Sequence, residues 1–243
     1  MIPADVLVGD LSSRGWTVRL YRCYSNSGLC MEVSLRRRIW RGCGTARILG
    51  EVDPPEYVDF LTAVQGYNPR SRRIMPSCMT RLIDQFKIDD WNFNSFYAYP
   101  IAMAMALLVK AYKEKIGAVD IITYVPSHPS ELRRDKRSGE HRDHIKFLAT
   151  LFQVFLSEFS CPVKSLLRKV EAVKMKNKTK EERFKLAERI YVLSKSSPSN
   201  IYGKRILLID DITTSGATLR ACAKVLKEAG AERVVAVVAC KTK

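Results

Sequence analysis

Long apolar runs are missing from this 243-residue chain. No stretch approaches the roughly 18 uninterrupted apolar residues that a membrane-spanning helix needs, and the start MIPADVLVGDLSSRGW lacks the basic and then apolar pattern of an export signal. A soluble, non-exported, cytoplasmic protein with no membrane partner is expected. Paired cysteines are missing too: the seven are odd in number, and no two are separated by only two residues. Neither a zinc ribbon nor a disulfide framework is expected, and Cys222 and Cys240, set among apolar residues, read as small buried hydrophobes in a reducing compartment. Histidine is scarce, at three residues. His141 and His144 have no cysteine or acid cluster to complete a metal site, so both read as ordinary and no metal ligand is assigned. Residues 1–73 contain no lysine, although they hold eleven arginines against seven acids.

Positive charge is what the chain has in excess. The formal net charge is +16, and residues 130–205 alone carry nineteen basic and nine acidic side chains. A field of this sign attracts phosphates and nucleic acid at long range. The rest of the composition, 47% hydrophobic and 27% charged, is that of a globular protein able to bury a core. The length suits one large domain, or one domain with an appendage.

Periodicity divides the chain in two. Trp16, Val18 and Leu20 alternate with Thr17, Arg19 and Tyr21. After the turn-like Ser25-Asn26-Ser27-Gly28 the alternation resumes at Leu29, Met31, Val33 and Leu35, the period-2 pattern of a hairpin. Tyr57 to Gln65 reads as a short helix and YNPRSRRIM as a linker. The boundary expected near residue 70 leaves a β-rich basic region at 1–70 and a second domain at 71–243. In that domain helix and strand alternate. A helix is predicted over about 97–115, then a strand over Asp120–Val125, and then a helix whose Ile145, Leu148, Ala149, Phe152, Phe155, Leu156 and Phe159 share one face. A lysine-rich loop follows from Lys164 to Lys185, then the strand Arg205–Ile209, a helix from about Leu219 to Glu228 ended by Gly230, and the strand Val234–Ala239. Continuous apolar strands between helices are the pattern of a parallel α/β sheet covered on both faces.

The segment Ile206–Thr218 reads ILLIDDITTSGAT. Four apolar residues make a buried strand, two acids stand at its C-terminal end, and small and hydroxyl residues lead into a helix. This is the end of an open α/β sheet at which ligands bind. Backbone N–H groups and hydroxyls of Thr213, Thr214, Ser215, Gly216, Ala217 and Thr218 can surround a phosphate at the helix N-terminus. The adjacent carboxylates of Asp210 and Asp211 suit the two hydroxyls of a ribose.

These thirteen residues resemble the signature of type I phosphoribosyltransferases, which bind 5-phosphoribosyl pyrophosphate (PRPP). The resemblance implies an α/β fold with a parallel sheet, here with an N-terminal β-rich appendage. It places the ribose hydroxyls on Asp210 and Asp211 as the catalytic acids, and the 5-phosphate on Thr213–Thr218. The run Tyr124-Val125-Pro126-Ser127-His128-Pro129 with the arginine-rich stretch after it, the segment Lys169–Tyr191 and, more faintly, Leu82–Lys87 resemble the ComF-like branch. By that resemblance Ser127, His128, Arg133, Arg134 and Arg137 line the pyrophosphate, the lysine-rich loop closes over the site, and Mg2+ assists. The chain departs from the pattern in two places. Cys23, Cys30 and Cys43 do not have the spacing of the paired-cysteine module that often begins ComF proteins. Thr214 stands where relatives acting on 6-oxopurines carry an acid, which counts against such substrates.

Two functions follow as expectations. One is an enzyme that transfers phosphoribose from PRPP to an unidentified acceptor, or cleaves PRPP. The other is a non-catalytic PRPP- or nucleotide-binding regulator or effector working through nucleic acid or a protein partner, as in DNA-uptake or anti-phage systems. Arg36, Arg37, Arg38, Trp40 and Arg41 combine charge with an aromatic ring and are the candidate nucleic-acid contacts. A homodimer is the state that the fold suggests.

Overall fold

A computed structural model describes residues 7–11, 15–22, 29–35, 38–39, 46–67, 77–87, 91–134, 139–156, 159–173, 178–195 and 201–242. The first elements form an antiparallel sheet: β1 (Leu7–Leu11), β2 (Trp16–Arg22), β3 (Leu29–Leu35) and β4 (Arg38–Ile39) in order, with β5 (Ala46–Arg47) also on β3. The expected hairpin is present, with Trp16 opposite Leu35 and Arg22 opposite Leu29. Its alternation works because one face is buried: Trp16, Val18, Leu20, Met31 and Val33 are at most 1% exposed. Cys30 on β3 and Cys78 are each disulfide-bonded, against the expectation from spacing. Disulfide partners are set by the distance between Cβ atoms in space, which intervals along the chain do not record.

The central sheet has the order β6 (Gly50–Val52), β7 (Phe60–Tyr67), β14 (Arg233–Thr242), β13 (Arg205–Thr213), β8 (Ile121–Tyr124). Strands β7, β14, β13 and β8 are parallel, and β6 is antiparallel to β7. The stretch expected as a short helix after Pro55 is therefore the strand β7. Its Phe60-Leu61-Thr62-Ala63-Val64-Gln65 run is buried throughout, and a short apolar run covered on both faces has no period by which to tell strand from helix. The sheet also runs across the boundary expected near residue 70.

Both faces of the sheet are covered, so its strands are continuously apolar. On one face, Leu207 and Ile209 of β13 and Val235, Val237 and Ala239 of β14 pack with α1 (Cys78–Phe86), α2 (Trp91–Ala111) and α4 (His144–Phe155). Ala98 and every residue from Ile101 to Val109 in α2 are buried, because this helix lies between the central sheet and the N-terminal sheet and touches α1 and α4 besides. The short α3 (Lys113–Ile116) follows it. On the other face Ile206 and Leu208 of β13 and Val234, Ala236 and Val238 of β14 pack with α5 (Lys180–Ile190), α6 (Ala217–Glu228) and the hairpin of β11 (Leu167–Lys169) and β12 (Tyr191–Leu193). The lysine-rich stretch read as a loop thus carries β11 and most of α5. A capping box between Thr179 and Glu182 starts that helix, and Ala187 and Ile190 anchor it to the core. Among the described residues no helix is long and apolar enough to cross a membrane.

Candidate functional site

Parallel pairing brings the C-terminal ends of β8 and β13 side by side, with Ile209 opposite Tyr124 and the Val125 N–H donating to the Ile209 carbonyl at 2.9 Å. The two regions singled out in the sequence, 126–131 and 210–218, therefore meet at one edge of the sheet. Residues Ile212 to Thr218 line a cavity of about 150 Å3 together with Arg183 of α5. Gly216 is the N-cap of α6 at φ +79°, a left-handed conformation that glycine adopts without cost. A Cβ there would stand 3.1 Å from the Pro55 Cβ. The loop is braced by Thr242, whose hydroxyl lies 3.1 Å from that of Thr214 and 3.4 Å from the Thr213 carbonyl.

Asp210 and Asp211 follow the strand's alternation and face opposite sides of the sheet, although both are buried, at 8% and 5% exposure. Asp210 lies on the α6 side near Tyr191 and Cys222. Its carboxyl is pushed well above the usual range by burial first and by the neighbouring Asp211 charge second. Asp211 lies on the opposite side. The Lys87 ammonium at the C-cap of α1 is 2.6 Å from its Oδ2, and His144 Nε2 is 3.7 Å away. Burial acts to raise the Asp211 carboxyl, but the charge of Lys87 and the contact with His144 outweigh it and hold the group well below the usual range. The two carboxyls of the pair are thus shifted in opposite directions, Asp210 toward the neutral form and Asp211 toward the ionised one.

The turn after β8 is held by α4. Asp143, the N-cap of that helix, accepts hydrogen bonds from Ile145 and Lys146 N–H, and also from the Ser127 N–H at 3.2 Å and the Ser127 hydroxyl at 3.3 Å. Adjacent residues Asp143 and His144 therefore fix both Ser127 and Asp211. His128 turns back on its own segment: its Nδ1 accepts from the Ser130 N–H, and the Glu131 carboxylate accepts from the His128 N–H, forming a capping box for the 3-10 turn Pro129–Glu131. Glu131 is gripped in turn by both-oxygen contact with Lys169 Nζ, 2.8 Å to each oxygen.

Of the other expected contacts, Arg133 and Arg134 enter as backbone of β9 (Arg133–Arg134), which pairs with β10 (His141–Arg142). Arg38 enters as backbone of β4. Arg36, Arg37, Trp40, Arg41 and Arg137 lie outside the described residues. Sequence reasoning did not single out Asp143, passed over His144 as ordinary, and touched Arg183 and Lys87 only through the family resemblance of residues 169–191 and, more faintly, 82–87. These four come from α1, α4 and α5, and their approach is set by packing, so no local spacing marks it.

The oxygen donors here suit a hard cation such as Mg2+. However, Lys87 already engages Asp211, Asp210 faces away, and no cluster of three or more metal-binding side chains occurs among the described residues. The arrangement fits a metal carried on a ligand's own oxygens beside Asp211 better than one caged by the chain.

Residues 147–243 match the phosphoribosyl transferase domain family. No curated protein matches. Among solved structures, glutamine PRPP amidotransferase from B. subtilis, in complex with ADP and GMP, is similar at 14% identity and a TM-score of 0.42, over 92% of this chain and 36% of that one. A purine phosphoribosyltransferase from Pyrococcus horikoshii OT3 is similar at 14% identity and a TM-score of 0.34, over 59% of this chain and 82% of that one. This chain spans about a third of the length of the amidotransferase. The residues that match this family include β13, α6 and β14 of the α/β sheet, which is joined to a strand-rich N-terminal region.

Proposed function

We propose that this protein binds PRPP and displaces its pyrophosphate, joining the ribose C1 to a nitrogen acceptor or to water, and that it stands close to the ComF-like branch. The observation that carries this reading is the meeting of the 213–218 cavity, the ionised Asp211 and the Ser127 turn at one edge of the sheet. The 5-phosphate sits in the cavity against the loop N–H groups and hydroxyls. Asp211 accepts from a ribose hydroxyl, with Lys87 and His144 keeping the carboxylate charged and oriented. The 126–131 turn receives the pyrophosphate end, with Ser127 oriented by Asp143. As the C1–O bond breaks, pyrophosphate leaves with the electron pair, the acceptor's lone pair forms the new bond to C1, and the acceptor's proton passes to the departing pyrophosphate or to solvent. Mg2+, when bound on the ligand oxygens, supplies charge neutralisation for the leaving group. Lys87 and the neighbouring cations supply the rest from the chain, already in place before reaction.

A second reading, a regulator that binds PRPP without turning it over, is favoured by one observation. The Asp211 oxygen that would accept from the ribose is already engaged by Lys87. Calorimetric titration of PRPP and Mg2+ into the purified chain, with pyrophosphate release assayed in parallel, separates the two. Binding with release supports the enzyme, binding without release supports the regulator, and an absence of binding in the intact chain refutes both.

A further inference from the structure

Among the described residues, the cavity at the 213–218 loop is lined by one continuous segment and by a single side chain from elsewhere, Arg183. The Thr179–Glu182 capping box fixes the start of α5 and with it the position of Arg183 one turn in. Arg183 Nε donates to the Lys178 carbonyl at 3.0 Å. That bond pins the guanidinium by its inner nitrogen and leaves the outer two-nitrogen fork for another acceptor. Of the cations around the loop, Arg220 is committed to Glu56 and Glu188 and Lys169 to Glu131, while Lys180 and Lys241 line the adjoining cavity, on the Ser215–Gly216 side. Among the described residues no carboxylate pairs with Arg183. A planar guanidinium that lines the same cavity as the N–H groups and hydroxyls of the 213–218 loop matches a tetrahedral group with several charged oxygens.

We propose that Arg183 is a specificity-determining residue that takes two oxygens of the sugar 5-phosphate, so that the site selects a phosphomonoester dianion over a phosphodiester. This rests on the PRPP reading. A phosphodiester has one charge fewer, and its extra substituent occupies the side of the phosphate that the fork needs. Arg183 supplies that distinction from a second element.

The test is calorimetric titration of the intact chain with PRPP and Mg2+, ribose 5-phosphate and the methyl ester of ribose 5-phosphate, for wild type, Arg183→Ala and Arg183→Lys. The wild type is expected to prefer ribose 5-phosphate over its ester. Arg183→Ala is expected to lose affinity for PRPP and ribose 5-phosphate on the order of 10- to 100-fold, with a much smaller loss for the ester, and Arg183→Lys, which keeps the charge without the fork, to restore only part of it. Thermal melting checks the fold; if the alanine variant melts early, the comparison of lysine with wild type decides. Equal affinity of wild type for the two esters, or a loss in the variants that is uniform across all ligands, would overturn the proposal and leave the PRPP reading standing. A wild type that binds neither PRPP nor ribose 5-phosphate would remove both.

Discussion

Asp210 and Asp211 are neighbours of identical chemistry, and the structure predicts opposite responses when each is made neutral. Asp211→Asn removes the counter-charge of Lys87, whose side chain is 35% exposed against 8% for Asp211. Stranding an ammonium in this half-buried place falls between the near-zero value of surface pairs and the several kcal/mol of fully buried ones, so a loss of about 2 kcal/mol is expected. For a chain of this size that lowers Tm by roughly 4–8 °C. Asp210→Asn replaces a carboxyl whose neutral form the fold favours, and costs under about 1 kcal/mol near pH 4. The pH dependence separates the two further. The Asp210 carboxyl is raised in the folded state, so its stabilising contribution is complete below the unfolded value and is lost as pH rises toward the folded one, by up to about 1.4 kcal/mol per pH unit above roughly pH 3.9. The Asp210→Asn variant escapes that loss and gains on the wild type as pH rises. The Asp211 carboxyl is lowered, so its contribution is present above the unfolded value and disappears as pH falls through the folded one. The Asp211→Asn variant lacks that acid limb. Urea unfolding of the three proteins from pH 3 to pH 8 measures all of this. A larger loss for Asp210→Asn than for Asp211→Asn at pH 7 would refute the assignment of charge within the pair.

Gly216→Ala forces a side chain into a left-handed conformation and against Pro55 at 3.1 Å. A loss of about 1–3 kcal/mol in thermal unfolding is expected, together with weakened PRPP binding, because the phosphate loop must shift. Arg220 stacks between Tyr57 and Phe184, with ring centres 5.5 and 5.4 Å away, while pairing with Glu56 and Glu188. It joins α6 to α5 and to the 53–57 loop. Arg220→Met is expected to cost about 1–2 kcal/mol and to make stability less sensitive to salt, and an unchanged salt response would show that the charge plays no part.

The elements read most easily from sequence were those with one dominant periodicity. The hairpin of β2 and β3 shows strict alternation because only one of its faces is buried. Helix α4 shows a three-and-four repeat because one stripe meets the core. The strand β7 was not legible, since burial on both faces erased the period that separates strand from helix. Helix α5 was hidden in charge: its start is a Thr179–Glu182 cap, while its exposed face is rich in lysine and glutamate. The cysteine pattern failed for the same reason of locality, as bonds at Cys30 and Cys78 depend on approach in space.

The candidate site divides along the same line. Residues 206–218 by themselves point to a buried strand, a turn that requires glycine and a helix start, since each follows from the residue types at those thirteen positions. From these the cavity at Thr213–Thr218 and the position of the acid pair could be expected. Only the tertiary structure decided that the two acids face opposite sides, that Lys87 and His144 keep one of them charged, that Asp143 joins the Ser127 turn to α4, and that Arg183 stands over the loop. Each of these is an electrostatic contact between elements far apart in sequence. Charge acts through distance and burial, and both are fixed only once the helices have packed on the sheet.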